Sequence, residues 1–207
     1  MMPATDTKAR PRTKREHARA LIIDSTVELV RERSFAELTV GELMDRAGLE
    51  RTIFYRHFEN VGVLLLSSGR QAIEELFGAQ AQLAATRADH GPAAIHQAME
   101  VCVRIYSQNG PLLRAVSEAV AANQLVAVDQ DEIRRRFDEL VAEALRAAAG
   151  ERGADLADPL ETAHALNLLN ERYFLDAFGG EPRVSVETAT RTLAEIWSSV
   201  LGRGGET

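Results

Sequence analysis

Apolar positions along this chain recur at three- and four-residue intervals, and no stretch alternates Val, Ile or Thr with polar residues between turn signals. That period predicts helices throughout after residue 15, hence an all-α fold. A first helix of about 16–33 carries Leu21, Ile22, Leu29 and Val30 near one face, and a second of about 40–47 sets Val40, Leu43, Met44 and Ala47 at i, i+3, i+4 and i+7. Thr39 stands as the N-cap of the second, with Glu42 as reciprocal partner of a capping box, and Gly48 stops it in the left-handed conformation. A short third helix, about 51–57, turns Phe54 and Phe58 inward one turn apart.

Beyond Asn60 the predicted helices lengthen. One of about 61–84 carries Leu65, Leu66, Ala72, Ile73, Leu76 and Phe77, and one opening at Pro92 places Ile95, Ala98, Met99, Cys102, Ile105 and Tyr106 on a single stripe. Pro92, Pro111 and Pro159 each follow Gly or Asp, which predicts a helix start at each. Helices of about 111–123, 129–149, 159–178 and 185–202 complete a set of about nine.

The 207 residues suit one compact body, or a small domain joined to a larger one, and 45% hydrophobic with 27% charged residues is enough to fill a core. The longest aliphatic run, Val63 to Leu66, is far too short to span a membrane, and the N-terminus lacks the apolar core of a signal peptide. The chain therefore reads as cytoplasmic with no membrane partner. Its single cysteine, Cys102, excludes an internal disulfide and a multi-cysteine metal site.

The net charge of −7 is unevenly spread. Residues 1–58 hold eleven Lys and Arg against nine Asp and Glu, a net of +2, while the remainder carries −9. Residues 1–15, with Lys8, Arg10, Arg12, Lys14 and Arg15, read as a flexible basic arm, and an acidic body follows a modestly basic head.

Two short helices joined by Gly48-Leu49-Glu50 behind a longer one have helix-turn-helix geometry, in which the second short helix enters a DNA major groove. Arg51, Thr52, Tyr55 and Arg56 share one face of that helix opposite Phe54 and Phe58. Arg51 and Thr52 suit base edges or phosphates, and Tyr55 and His57 suit phosphate oxygens. On spacing alone, an ordinary solvated helix pair remains the alternative.

Thr39-Val40 through Ala47-Gly48-Leu49, then Phe54-Tyr55-Arg56-His57-Phe58 and Asn60, resembles the DNA-binding head of the TetR family of transcriptional regulators over roughly residues 18–66. The resemblance implies a homodimer on a double-stranded DNA operator, with phosphate contacts at Thr39, Tyr55 and His57 and base reading at Arg51 and Thr52. It divides the chain into the arm at 1–15, the helix-turn-helix domain at 16–60 and an effector-binding and dimerisation domain at 61–207. Two positions depart from the family pattern: Glu50 replaces a small hydroxyl residue, and Val61 and Gly62 follow Asn60 where a lysine is usual. The cations of the arm are expected to compensate.

In the body, the predicted eighth helix is apolar on two sides, with Leu160, Ala163, Phe174 and Phe178 along one stripe and Leu166, Leu169, Tyr173 and Ala177 along another. Two covered sides point to a protomer core and a symmetry mate, so the eighth helix and the ninth, with its Leu193, Ile196, Trp197 and Val200 stripe, are the expected dimer interface. Asn167 and Asn170 lie on the apolar stripe, where an unpaired amide costs about 1–3 kcal/mol. Their partner is either a backbone carbonyl or water, or a ligand in an apolar cavity.

The stretch from Ala165 to Arg172, Phe178 to Pro182 and Glu195-Ile196-Trp197 resembles the C-terminal domain of the ethionamide-resistance type of mycobacterial repressor, a branch of the same family. There the two asparagines line an apolar ligand channel. The resemblance implies that Ile95, Met99, Cys102, Tyr106, Phe174 and Trp197 line a site for an apolar small-molecule effector. Cys102 and Ile95 stand where aromatics line much of that channel, so ligand identity does not transfer.

Enzymatic chemistry is poorly supported. Glu161-x-x-His164 is half of a di-iron pattern whose second half is missing, His96 with Glu100 reads as surface, and phosphate-loop and nucleophile-elbow motifs are absent. Cys102 reads as core, and Arg134-Arg135-Arg136 as a solvated turn. The expectation is a ligand-responsive repressor with no catalytic residue, cofactor or metal. The alternatives are a DNA-binding regulator answering to a protein partner and, behind it, a helical-bundle enzyme.

Overall fold

Side-chain caps decide where several helices begin. In the computed structural model, which describes residues 13–85, 92–122, 124–152 and 157–202, the Thr13 hydroxyl accepts from the Glu16 N–H while the Glu16 carboxylate accepts from the Thr13 N–H at 2.7 Å. This capping box starts α1 (Lys14–Glu32) two residues earlier than the apolar period predicts, so Lys14 and Arg15 stand in its first turn. The remainder of the expected arm, residues 1–12, lies outside the described residues.

After a short 3-10 helix at Phe35–Glu37 come α2 (Val40–Ala47), α3 (Arg51–Phe54), α4 (Val61–Ala85), α5 (Pro92–Ala122), α6 (Gln124–Arg152), α7 (Pro159–Phe178) and α8 (Val186–Gly202). The described residues contain no strand. None of their helices is long and apolar enough to cross a membrane.

The helix start expected at Pro111 is overturned: α5 runs through it, leaving eight α-helices among the described residues rather than nine. An internal proline removes one backbone bond and costs about 3 kcal/mol. Burial outweighs that cost, because Leu112, Leu113, Val116 and Ala119 beyond the proline are all buried, at about 1.5–3 kcal/mol for each large side chain. Polar side chains serve carbonyls just upstream, Asn109 Nδ2 donating to Ile105 O at 3.0 Å and Ser107 Oγ to Arg104 O at 2.8 Å.

Two apolar clusters result. The head core gathers Ile22, Leu29, Leu43, Met44, Phe54 and Phe58, and it is completed by Leu64 and Leu65 of α4 and Leu112, Ala115, Val116 and Ala119 of α5. The body core joins α4 to α8 around Ile95, Met99, Val103, Leu145, Phe174, Leu193 and Trp197. Both α4 and α5 thus belong to both cores. A further tie holds the head to α5, where the Phe35 N–H donates to Glu118 Oε2 at 2.8 Å.

Candidate functional site

The head closes as a helix-turn-helix. Thr39 caps α2 by accepting from the Glu42 N–H. The reciprocal half of the expected capping box is replaced, since the Glu42 carboxylate takes the Thr39 hydroxyl at 2.9 Å and Arg33 at 3.0 Å instead. Gly48 ends α2 at φ 65°, a left-handed conformation that favours glycine. Glu50 precedes α3 with extended backbone, and its carboxylate meets the Thr52 hydroxyl at a long 3.5 Å. The regular helix ends at Phe54, short of the expected 57, and i→i+3 bonds from the Arg56 and His57 N–H groups tighten the turn.

Phe54 and Phe58 are buried, while Arg51, Thr52, Tyr55 and Arg56 are all exposed on the other side. Tyr55 is 58% exposed, unusual for a large aromatic, and its ring stands edge-on to Phe54. Thr39 is exposed, and His57 is half-buried. Partial desolvation lowers the His57 pKa below its ordinary value, and the positive charges of Arg15, Arg19 and Arg56 lower it further. Three arginines thus place positive charge near His57 on this side of the head.

In the body, α4, α5, α6 and α7 surround a narrow cavity of about 90 Å³. Tyr106 stacks on Phe174 at 4.4 Å along one wall, and Ile73, Leu113, Val116, Ile133 and Phe137 supply apolar surface. Burial raises the Cys102 thiol pKa to about 12 and pushes the Tyr106 hydroxyl upward, with the Glu171 charge adding to the latter. Both groups stay neutral at ordinary pH.

The polar end is a chain of side chains. Asp138 accepts from Asn167 Nδ2 at 2.8 Å and lies 2.8 Å from His164 Nδ1, which must carry the proton because a carboxylate only accepts. Asn167 Oδ1 accepts from Gln80 Nε2 at 3.4 Å. Asn170 Oδ1 accepts from the buried Trp197 indole N–H at 3.1 Å. Gln80 Oε1 and Arg134 Nε, both on residues of the cavity wall, are buried without a hydrogen-bond partner.

Two family descriptions cover these parts. Residues 22–66 match "Bacterial regulatory proteins, tetR family", and residues 95–202 match "Transcriptional regulator EthR, C-terminal domain". The chain belongs to the TetR family of transcriptional regulators. It is 28% identical over 187 residues to the HTH-type transcriptional regulator EthR of Mycolicibacterium smegmatis, covering 88% of this chain and 86% of that one. It is also 28% identical over 192 residues to EthR of Mycobacterium tuberculosis, covering 89% and 88%. The fold is shared with the TetR family regulator PfmR of Thermus thermophilus, with a TM-score of 0.68 at 19% identity over 90% of this chain and 99% of that one. FadR of Bacillus halodurans, titled a fatty acid degradation regulator, gives 0.67 at 13% identity, covering 96% and 100%. The family and these relatives are transcriptional regulators, not enzymes.

Within this TetR-family body the sequence-derived ligand residues separate into two groups. Cys102, Tyr106, Asn167, Asn170 and Phe174 line the cavity. Ile95, Met99 and Trp197 do not reach its wall; they are buried in the body core, where α8 packs on α5 and the Trp197 N–H is already taken by Asn170. The cavity lies further along α5, from Cys102 to Ser117, because the helix continues past Pro111.

Sequence reasoning missed four residues. Gln80 continues the Ile73, Leu76 stripe of α4, and a glutamine on an apolar stripe is the same signal that singled out the asparagines. Arg134, read as solvated, turns into the cavity wall, whereas Arg135 and Arg136 are exposed. Asp138 lies four residues after Arg134 and is buried against Asn167, and Val116 lines the cavity from beyond the proline. No cluster of three or more potential metal ligands occurs among the described residues; His164 is held by Asp138.

Proposed function

We propose that this protein is a ligand-gated transcriptional repressor that binds a pseudo-palindromic operator as a homodimer and is released by a mainly apolar small molecule. The observation that carries the reading is Val116, which lines the body cavity and belongs to the head core at the same time. A ligand that displaces the Val116 side chain shifts packing in the head core, where α5 meets α1, α4 and the 3-10 helix. Gly69 of α4 faces Val116, where an added Cβ would lie in ordinary contact at 3.4 Å from its Cγ2, so Val116 packs against α4 as well.

In this reading Thr39, Tyr55, Arg56 and His57 hold phosphates, and Arg51 and Thr52 read base edges. Lys14 and Arg15, with Arg10 and Arg12 before them, offset Glu50 and the missing lysine after Asn60. Leu160 and Leu169 of α7 and Val186 of α8 are 40–46% exposed, a set of apolar side chains on the two helices that the dimer is proposed to use. The two α3 helices would then enter successive major grooves about 34–36 Å apart.

A cavity of about 90 Å³ is smaller than the roughly 300–1,000 Å³ of most ligand sites, so admission requires side chains to move. Ile73 and Ile133 are the candidates, because both also line an open groove of about 600 Å³ between α4 and α6. Their rotation would join the two spaces and press on α4. A coupling of about 1–3 kcal/mol suffices for a 5–150-fold change in operator affinity.

Genomic DNA selection with the purified protein tests the head, and release of the recovered sites by apolar compounds tests the body. Asn170→Leu is expected to weaken release while leaving operator affinity intact in the folded fraction, with some loss of stability because the Trp197 N–H loses its acceptor. Equal loss of both removes the cavity from the mechanism.

A further inference from the structure

The orientation of the amide groups at the polar end of the cavity is set from outside it. Asp138 can only accept, so Asn167 must turn its Nδ2 toward it and its Oδ1 toward Gln80. Gln80 must then offer Nε2 to Asn167, and its Oε1 becomes the free end of the chain, buried and without a partner. Arg134 of α6, another residue of the same wall, leaves Nε buried and unpartnered while its terminal nitrogens lie 3.3 Å from Asp131 and 3.9 Å from Glu171. One unmet acceptor and one unmet donor therefore stand on residues of a single cavity wall, a costly arrangement unless something else supplies the missing bonds.

We propose that Gln80 and Arg134 read the polar end of the effector, and that this end is an uncharged group carrying a donor and an acceptor together, a primary carboxamide in its simplest form. The inference rests on the cavity being the effector site. The amide N–H₂ of the ligand donates to Gln80 Oε1, and its carbonyl accepts from Arg134 Nε. An ionised carboxylate fits poorly, because it has no proton for Gln80 and because Asp131 and Glu171 already offset the Arg134 charge. An ester or hydrocarbon leaves Gln80 Oε1 unmet. The apolar remainder of the ligand lies against the Tyr106–Phe174 stack.

Calorimetric titration of the full chain at pH 7.5 with hexanamide, sodium hexanoate and butylbenzene tests the assignment. Hexanamide is expected to bind at least about tenfold more tightly than hexanoate, the worth of one to two buried hydrogen bonds. Gln80→Leu is expected to weaken hexanamide about tenfold and leave butylbenzene unchanged; it removes an unpartnered acceptor together with the long bond to Asn167 Oδ1, so its thermal midpoint should change little. If butylbenzene binds while hexanamide has no advantage over hexanoate, or if Gln80→Leu binds hexanamide like the parent, the assignment is overturned and the effector cavity stands. If neither hexanamide nor butylbenzene binds, both fall.

Discussion

The indole N–H of Trp197 donates to Asn170 Oδ1 across 3.1 Å, joining α8 to α7 beside the cavity wall. Trp197 is 1% exposed and Asn170 5%, so each answers a polar group that the other would leave unmet. Trp197→Phe is expected to lower stability by about 1–3 kcal/mol through lost packing and an orphaned Asn170 carbonyl. Urea unfolding of the two proteins checks it, and an unchanged midpoint would contradict the bond.

Gly110 lies against the chain end of α7, where an added Cβ would overlap the Phe178 carbonyl. Backbone cannot yield there as a flexible side chain could. Gly110→Ala is expected to cost about 1–3 kcal/mol or more in thermal unfolding, whereas Gly78→Ala, with open space around it, should be neutral or slightly stabilising.

At the head, the exposed side chains of α3 predict losses in DNA binding without losses in stability. Arg51→Ala is expected to weaken a recovered operator by about 1–3 kcal/mol and relax specificity at one position. Arg56→Ala should reduce the salt slope of binding by about 1, and Tyr55→Phe should weaken binding with the slope unchanged. Fluorescence anisotropy across salt concentrations separates the three.

His57 is expected to make operator binding depend on pH. Its folded pKa is lowered by desolvation and by Arg15, Arg19 and Arg56, so the free protein holds it neutral near pH 7. A DNA phosphate would favour the imidazolium, so binding takes up a proton, and affinity is expected to fall as pH rises through the pKa of the complex. His57→Gln should flatten that dependence. For folding the sign is opposite: between the folded pKa and the ordinary value of 6.5 the unfolded chain binds more protons, so stability declines as pH falls through that window.

The helical period, the glycine stop at Gly48, the inward Phe54 and Phe58 and the outward Arg51, Thr52, Tyr55 and Arg56 were all legible in the sequence. Each depends on residues within one or two turns of itself, where propensity, capping and face are local properties. The asparagines of α7 were legible as polar residues on an apolar stripe for the same reason. Their partners were not: Asn170 meets Trp197 27 positions away, and Asn167 meets Asp138 29 positions before it.

Tertiary packing decided the rest. The proline at 111 carries a local signal for a helix start, yet buried side chains on both sides hold one helix through it. That continuity carries Val116, which also packs in the head core, into the cavity wall, while Ile95 and Met99 are buried in the body core instead. Gln80 and Arg134 acquire meaning only there, because an unmet acceptor and an unmet donor are defined by which neighbours the fold supplies and which it withholds.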